Sequence, residues 1–254
     1  MKVVGIIPAR YASTRFPGKP LALIKGKPMI QRVYEQALKS KLDAVVVATD
    51  DTRIADTLMD FGGHFVMTSP NHRSGTDRCR EALDLLEERY DAVVNIQGDE
   101  PFIDPEQINQ VVHLILREDT PLASLAKRIE AEEELFSPNT VKVVMDRQGD
   151  ALYFSRNPIP FMRNWDRKEW LANGAFYKHI GIYAYKADVL RRIAAMPPTG
   201  LETAESLEQL RWLENGLRIR MGVTEVENVS IDRPEDIVKA ERFAENRMKT
   251  TKTE

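Results

Sequence analysis

Cysteine is nearly absent. The 254 residues hold one, Cys79, which excludes an intramolecular disulfide and a thiolate metal cluster. Cys79 falls in the helix-like stretch Thr76–Arg89 with no activating His pattern beside it, so it reads as packing. A charge excess is missing as well: 36 Lys plus Arg stand against 39 Asp plus Glu, a net −3. No global field therefore attracts nucleic acid or an anionic membrane, and any anion site has to be a local cluster. No apolar run approaches the roughly 20 residues of a membrane span, and the opening MKVVGIIPAR meets Pro8 and Arg10 too early for a signal peptide. These absences predict a cytoplasmic protein that neither inserts into a membrane nor binds nucleic acid. The histidines are far apart in sequence, which leaves no zinc grouping. Neither the three spaced glycines of a dinucleotide loop nor the Gly-Lys-Ser/Thr of a P-loop occurs, since Pro20 follows Gly18-Lys19. Hydride transfer and Walker-type ATP hydrolysis lose their main sequence support.

What is present is alternation. Val- and Ile-rich runs at Val3–Ile7, Ala44–Thr49 and Ala92–Gln97 are each followed by helical periodicity, at Met29–Ser40, Thr52–Phe61 and Pro105–Leu116. Strands apolar on both faces between amphipathic helices predict an α/β fold with a mainly parallel sheet flanked by helices. Sites in such sheets lie at the carboxyl ends of the strands. The residues just past each run therefore matter most: Pro8-Ala9-Arg10, Asp50-Asp51 and Gly98-Asp99-Glu100-Pro101. The second half has strand-like Val141–Met145, Ala151–Phe154, His179–Tyr185 and Arg218–Thr224, and helix-like Glu202–Asn215 and Pro234–Met248. The polar tail Lys249–Glu254 is expected to fray. Between the strands lies Asn157–Tyr177, rich in Pro and aromatics; Phe161, Trp165, Trp170 and Phe176 there are too apolar for solvent and imply either a subunit interface or a lid.

Past the first strand, Arg10, Arg15 and Lys19 put three cations into one loop. A triphosphate needs such charge, and a loop at a strand end also aims backbone N–H groups at it. Pro17-Gly18-Lys19-Pro20 fixes one turn geometry, which argues against a merely solvated loop. Asp99 follows the buried run Ala92–Gln97, where a carboxylate can hold Mg²⁺ against phosphate oxygens or simply close a turn. Asp232 reads on its own as a helix N-cap with Glu235 as capping-box partner. Asp51 reads as the start of the helix at Thr52 rather than a metal motif.

These residues resemble a known family. Ile6-Ile7-Pro8-Ala9-Arg10, Ser13-Thr14-Arg15, Pro17-Gly18-Lys19-Pro20, His72-Arg73-Ser74-Gly75-Thr76-Asp77-Arg78, Asn95-Ile96-Gln97-Gly98-Asp99-Glu100-Pro101, Tyr153-Phe154-Ser155-Arg156, His179-Ile180-Gly181-Ile182-Tyr183, Leu207-Glu208-Gln209-Leu210-Arg211 and Asp232-Arg233-Pro234-Glu235-Asp236 are similar, in order and across nearly the whole chain, to the 3-deoxy-manno-octulosonate (KDO) cytidylyltransferases. The resemblance implies a nucleotide-diphospho-sugar transferase-like fold: one nucleotidyltransferase domain over residues 1–254, with residues 140–185 as an acceptor-site and dimerisation subregion. It implies transfer of CMP from CTP to the anomeric hydroxyl of KDO with release of pyrophosphate, a step that activates the sugar for lipopolysaccharide biosynthesis. In that scheme Arg10, Arg15, Lys19, Arg73, Ser74 and Gln97 bind CTP, and Asp99 and Asp232 hold Mg²⁺. Arg10, Arg15 and Lys19 with both aspartates are the catalytic set. Gln97, Arg156, His179, Tyr183, Glu208 and Gln209 bind the sugar acid, and the assembly is a homodimer.

Simpler readings stand beside several of these roles: Ser74 as a helix entry, His179 as a structural histidine, Glu208 and Gln209 as a solvated helix face. Arg156 has the geometry of a carboxylate fork. Other acceptors, such as 8-amino-KDO, sialic acid or a sugar 1-phosphate, are the nearest alternatives. A catalytically silent nucleotide-binding subunit is the alternative from another class.

Overall fold

Strands buried on both faces require helices on both sides, and the first hundred residues supply them in alternation. The computed structural model describes residues 1–250, with side chains described as far as Glu245. By its internal contacts the chain divides into two compact units, Met1–Asn109 with Glu227–Glu254, and Gln110–Val226.

In the first unit, β1 (Val3–Ala9) is buried along its length except at Pro8. A 3₁₀ turn at Lys19–Leu21 and a short hairpin, β2 (Leu23–Ile24) and β3 (Lys27–Pro28), lead into α1 (Met29–Ala37). This helix buries Met29, Ile30, Val33, Tyr34 and Ala37, the stripe expected of a helix packed on a sheet. There follow β4 (Ala44–Thr49), α2 (Thr52–Asp60), β5 (Phe65–Met67), α3 (Gly75–Leu85) and β6 (Ala92–Asn95). Each helix falls within a residue or a few of its predicted span. The sheet order is β6-β1-β4-β5, every pairing parallel. Ala9 stands opposite Thr49, and Ile6 opposite Asn95. This register brings the ends of β1, β4 and β6 to one edge, so Arg10, Asp50 and Asp99 leave the sheet on the same side. Cys79 is fully buried in α3.

The helix α4 (Pro105–Ile115) carries the chain into the second unit. Its elements are β7 (Leu122–Arg128), α5 (Glu132–Phe136), β8 (Lys142–Met145), β9 (Ala151–Ser155), α6 (Trp170–Asn173), β10 (Tyr177–Lys186), α7 (Ala187–Ala194), α8 (Gly200–Glu205), α9 (Glu208–Glu214) and β11 (Arg220–Val223). β7 pairs parallel with β11 and antiparallel with β10; β8 pairs antiparallel with β10 and β9. Finally α10 (Asp236–Thr250) belongs again to the first unit. The tail expected to fray is helical at Lys249 and Thr250, and its last four residues, 251–254, lie outside the described residues.

Two expectations need correction. Glu202–Asn215 is not one helix: Ser206 has φ 53°, a left-handed conformation that ends α8 and restarts the chain as α9. The aromatic segment also divides. Trp170 and Phe176 are buried with Ile129 and Leu135 in a small core, their rings stacked at 5.9 Å. Phe161 and Trp165 are 72% and 46% exposed. Among the described residues no helix is long and apolar enough to cross a membrane.

Candidate active site

Two glycines set the geometry at the carboxyl edge of the first unit's sheet. Gly18 holds φ 70°, a conformation that favours glycine, and a Cβ there would crowd the Tyr11 ring at 3.1 Å. At Gly98 a Cβ would stand 3.0 Å from the Pro8 carbonyl, so the chain just past β6 passes close against the end of β1 where a side chain would push the backbone away. The phosphate loop closes on itself through Gly18 N–H donating to the Tyr11 carbonyl at 3.0 Å and Lys19 N–H to the Phe16 carbonyl at 3.2 Å. Outside the loop, the guanidinium of Arg53 sits 3.3 Å from the centre of the Tyr11 ring while donating twice to Asp51. Asp51 caps α2 by accepting from Arg53 N–H, as expected.

A cavity of about 250 Å³ opens here, lined by Arg10, Arg15, Lys19, Arg73, Ser74, Gln97 and Asp99 together with His72 and Arg78. The predicted nucleotide residues from three separate stretches of sequence thus face one space. Arg10 and Arg73 have no hydrogen-bond or ion-pair partner among the described residues, so their charge is available to an anion. Ser74 is the N-cap of α3, accepting from Asp77 N–H at 3.1 Å, and lines the cavity as well.

The acidic end is organised around Lys19. Its ammonium donates to Asp99 Oδ2 at 2.7 Å and to the Ile231 carbonyl at 3.0 Å, and lies 3.9 Å from Asp232 Oδ1. Arg15 reaches the same Asp232 oxygen at 2.9 Å. Ile231 N–H donates to the Asp99 carbonyl at 2.9 Å, which ties the two aspartate-bearing segments together. Asp232 does not act as the helix cap. Asp236 Oδ2, at the start of α10, instead reaches back to accept from the backbone N–H groups of Asp232 and Arg233 at 3.0 and 2.9 Å. The Asp232 carboxylate is thereby left facing Lys19 and Arg15. Two carboxylates and a carbonyl around one cation form an all-oxygen donor set suited to a hard ion that keeps several waters and shares phosphate oxygens. Among the described residues no group of three or more His, Cys, Asp or Glu is gathered for a metal, which Mg²⁺ does not require.

Three supports beside this cavity were not apparent from sequence. Arg78 is buried and bonds Thr68 Oγ1 at 2.6 Å and Asp50 Oδ2 at 3.1 Å; its signal is a charge on the apolar stripe of α3 with Cys79, Ala82 and Leu83. His72 bonds Glu81, which also accepts from Ser69 N–H at 2.8 Å; the His72 bond holds the Glu81 carboxyl below its usual range. Glu100 accepts from Asn228 Nδ2 at 2.8 Å, and burial, with the charge of Asp99 adding, raises its carboxyl to about 8.

In the second unit, the predicted acceptor residues gather around β10 and the α8–α9 corner. His179 lies edge-on to Phe154 at 5.2 Å and 5.2 Å from the Tyr183 ring, and Tyr183 packs against Trp212 of α9 at 5.1 Å. Burial lowers the His179 imidazole to about 3 and raises the Tyr183 phenol well above its ordinary value, so both are neutral. Gln209 is buried and not on a solvated face, while Glu208 is half-buried. Arg156 donates from Nε to the Glu205 carbonyl at 2.7 Å, from one terminal nitrogen to Pro138 at 3.0 Å and from the other to Ser206 at 3.2 Å. Two of its five N–H groups are thus committed to the corner that opens α9 and one to the loop before β8, and two remain for a carboxylate.

An α/β unit with a cation-lined cavity at the strand ends and paired carboxylates beside it has the arrangement of a nucleotidyltransferase. A model of the family described as "Cytidylyltransferase" matches residues 4–219. The 3-deoxy-manno-octulosonate cytidylyltransferase of Parabacteroides distasonis is 57% identical over 97% of this chain and 100% of its own length. That of Bacteroides thetaiotaomicron is 54% identical over 97% and 100%. A solved structure of CMP:2-keto-3-deoxy-manno-octonic acid synthetase complexed with CTP superposes with a TM-score of 0.90 at 42% identity, covering 97% of this chain and 100% of that one. The chain belongs to the 3-deoxy-manno-octulosonate cytidylyltransferases.

Proposed function

We propose that this protein transfers CMP from CTP to the anomeric hydroxyl of KDO, releasing pyrophosphate, and so activates the sugar for lipopolysaccharide assembly. The observation that carries the proposal is the cavity in the first unit, where unpaired Arg10 and Arg73 face the same space as Lys19 and Asp99. Arg10, Arg15, Arg73 and Lys19 hold the triphosphate and spread its charge, with Ser74 and Gln97 fixing the nucleoside end. Asp99 and Asp232 would hold Mg²⁺. When bound there, the ion would polarise phosphate oxygens and lower the pKa of the attacking hydroxyl. Lys19, bonded to Asp99 here, lines the same cavity and would face the phosphates. Arg156, His179, Tyr183, Glu208 and Gln209 position the sugar acid, and Gln97 is assigned to it as well. In-line attack on the α-phosphorus asks mainly for placement, so no side-chain base is assigned.

Pyrophosphate release measured with CTP, Mg²⁺ and a panel of KDO, 8-amino-KDO, sialic acid and a sugar 1-phosphate tests the reading. KDO is expected to give the largest kcat/KM, and no release with any acceptor would mark a silent subunit. We further propose a cytoplasmic homodimer built through the segment bearing Phe161 and Trp165, whose exposed rings support an interface. Light scattering at micromolar concentration should give twice the 29.0 kDa chain mass; the chain mass itself would leave the lid reading.

A further inference from the structure

β10 carries an irregularity opposite β7. Ile180 stands across from Leu125 and Tyr183 from Ser124, so Gly181 and Ile182 have no counterparts between them. A bulge of this kind turns carbonyls out of the ladder, and buried carbonyls need new donors. Ser124, fully buried, supplies one: its Oγ lies 2.8 Å from the Ile182 carbonyl and 3.2 Å from the Ile180 carbonyl. The same oxygen lies 3.0 Å from Nε2 of His179.

A hydroxyl has one proton and two lone pairs. The shortest contact, 2.8 Å to the Ile182 carbonyl, takes the single proton of Ser124, and a lone pair is left to accept from the ring. Nε2 must then carry the hydrogen of the neutral imidazole, and Nδ1 is bare. His179 Nδ1 has no hydrogen-bond partner among the described residues. Contacts with Phe154 and Tyr183 hold the ring in place. Desolvation keeps the imidazole uncharged across the working pH range.

We infer that Ser124 is a positioning residue: through the bulge it fixes His179 as the Nε2–H tautomer, so that Nδ1 presents a lone pair to a hydroxyl of the sugar-acid acceptor. This rests on the proposed placement of His179 in the acceptor site. The arrangement selects a hydrogen-bond donor on the acceptor at that position, and an acceptor lacking the hydroxyl would leave the lone pair unpaired.

The test is the two-bond ¹⁵N–¹H spectrum of the full-length protein labelled at histidine, with His179 assigned by His179→Gln. The expected result is a protonated Nε2 and a bare Nδ1 in the free enzyme, with Nδ1 alone shifting when KDO is added without CTP. A protonated Nδ1 in the free enzyme overturns the inference. A bare Nδ1 that does not respond to KDO also overturns it, by removing the contact with acceptor. Pyrophosphate release from the same sample separates either failure from failure of the transferase reading. Ser124→Ala should lose the tautomer bias and raise the acceptor KM on the order of tenfold, with the KM for CTP unchanged. If that variant does not fold, the wild-type spectrum decides alone.

Discussion

The two units handle polarity in opposite ways. Around the first unit's cavity, apart from the buried Arg78, the cations are either without partners, as at Arg10 and Arg73, or in solvent-accessible pairs such as Lys19 with Asp99 and Arg15 with Asp232. Around β10 of the second unit the polar groups are neutral or already committed: His179 to Ser124, Arg156 to three carbonyls, Tyr183 within an aromatic stack. A triphosphate brings several charges, and a site for it can remain wet and trade one ion pair for another. A sugar acid brings mostly hydroxyls, whose recognition depends on donors and acceptors fixed before it arrives. Charge recognition tolerates loose side chains, whereas hydroxyl recognition does not.

The strongest way to break the comparison is Asp99→Asn. It keeps volume and removes half of the paired carboxylate charge beside the cavity, so turnover should fall on the order of a thousandfold. Pyrophosphate release and an unchanged circular dichroism spectrum would show it, and near-normal turnover would make Asp99 a turn residue. Next comes Arg15→Lys, which preserves charge but not a planar fork; kcat/KM for CTP should drop roughly tenfold to a hundredfold, while the acceptor KM stays put. Equal losses toward both substrates would mean that the loop serves more than phosphate.

A smaller effect sharpens the second unit's side. His179 is lowered to about 3 from an unfolded value near 6.5. Between those values the unfolded chain binds the extra proton, so stability rises with pH through this window and is lost as pH falls below about 6.5. The raised Glu100 carboxyl acts in the opposite sense over the same range, so the readout is a difference: from pH 7 to pH 5 the urea midpoint of the wild type should fall relative to that of His179→Gln by up to one proton's worth of slope, and parallel slopes would place the ring in water. The smallest effect concerns Ser206, at φ 53°. Ser206→Gly relieves the left-handed strain at some cost in unfolded-chain entropy and should stabilise the fold by about 0.5 kcal/mol in the same titration, without changing catalysis.

Most of the first unit was legible because its strands are buried on both faces. Val3–Ile7 and Ala44–Thr49 announce themselves as β-branched runs, and the strand-end rule then points to Arg10 and Asp99. The second unit hid more. β7 reads Leu-Ala-Ser-Leu-Ala-Lys-Arg, helix-forming residues with no β-branch, and is a strand because β10 and β11 flank it. The helix α7 was not anticipated, and nothing local announces that Ser206 breaks the run into α8 and α9. Family resemblance named His179, yet Ser124 stayed invisible, since its importance arises from a bulge in a strand more than fifty residues away. Asp232 misled for a related reason: capping is a local pattern, whereas its carboxylate is drawn to Lys19 and Arg15 from a distant loop, and Asp236, four residues on, binds its backbone N–H.

The single thiol has a practical consequence. Cys79 is sealed inside α3, with no exposed surface, so the exterior of the protein carries no reactive sulfur. A cysteine introduced at Phe161 or Trp165 would be the one site open to maleimide or spin-label chemistry. No background substitution would be needed, and a probe at either position would report directly on the environment of that aromatic segment with and without substrates.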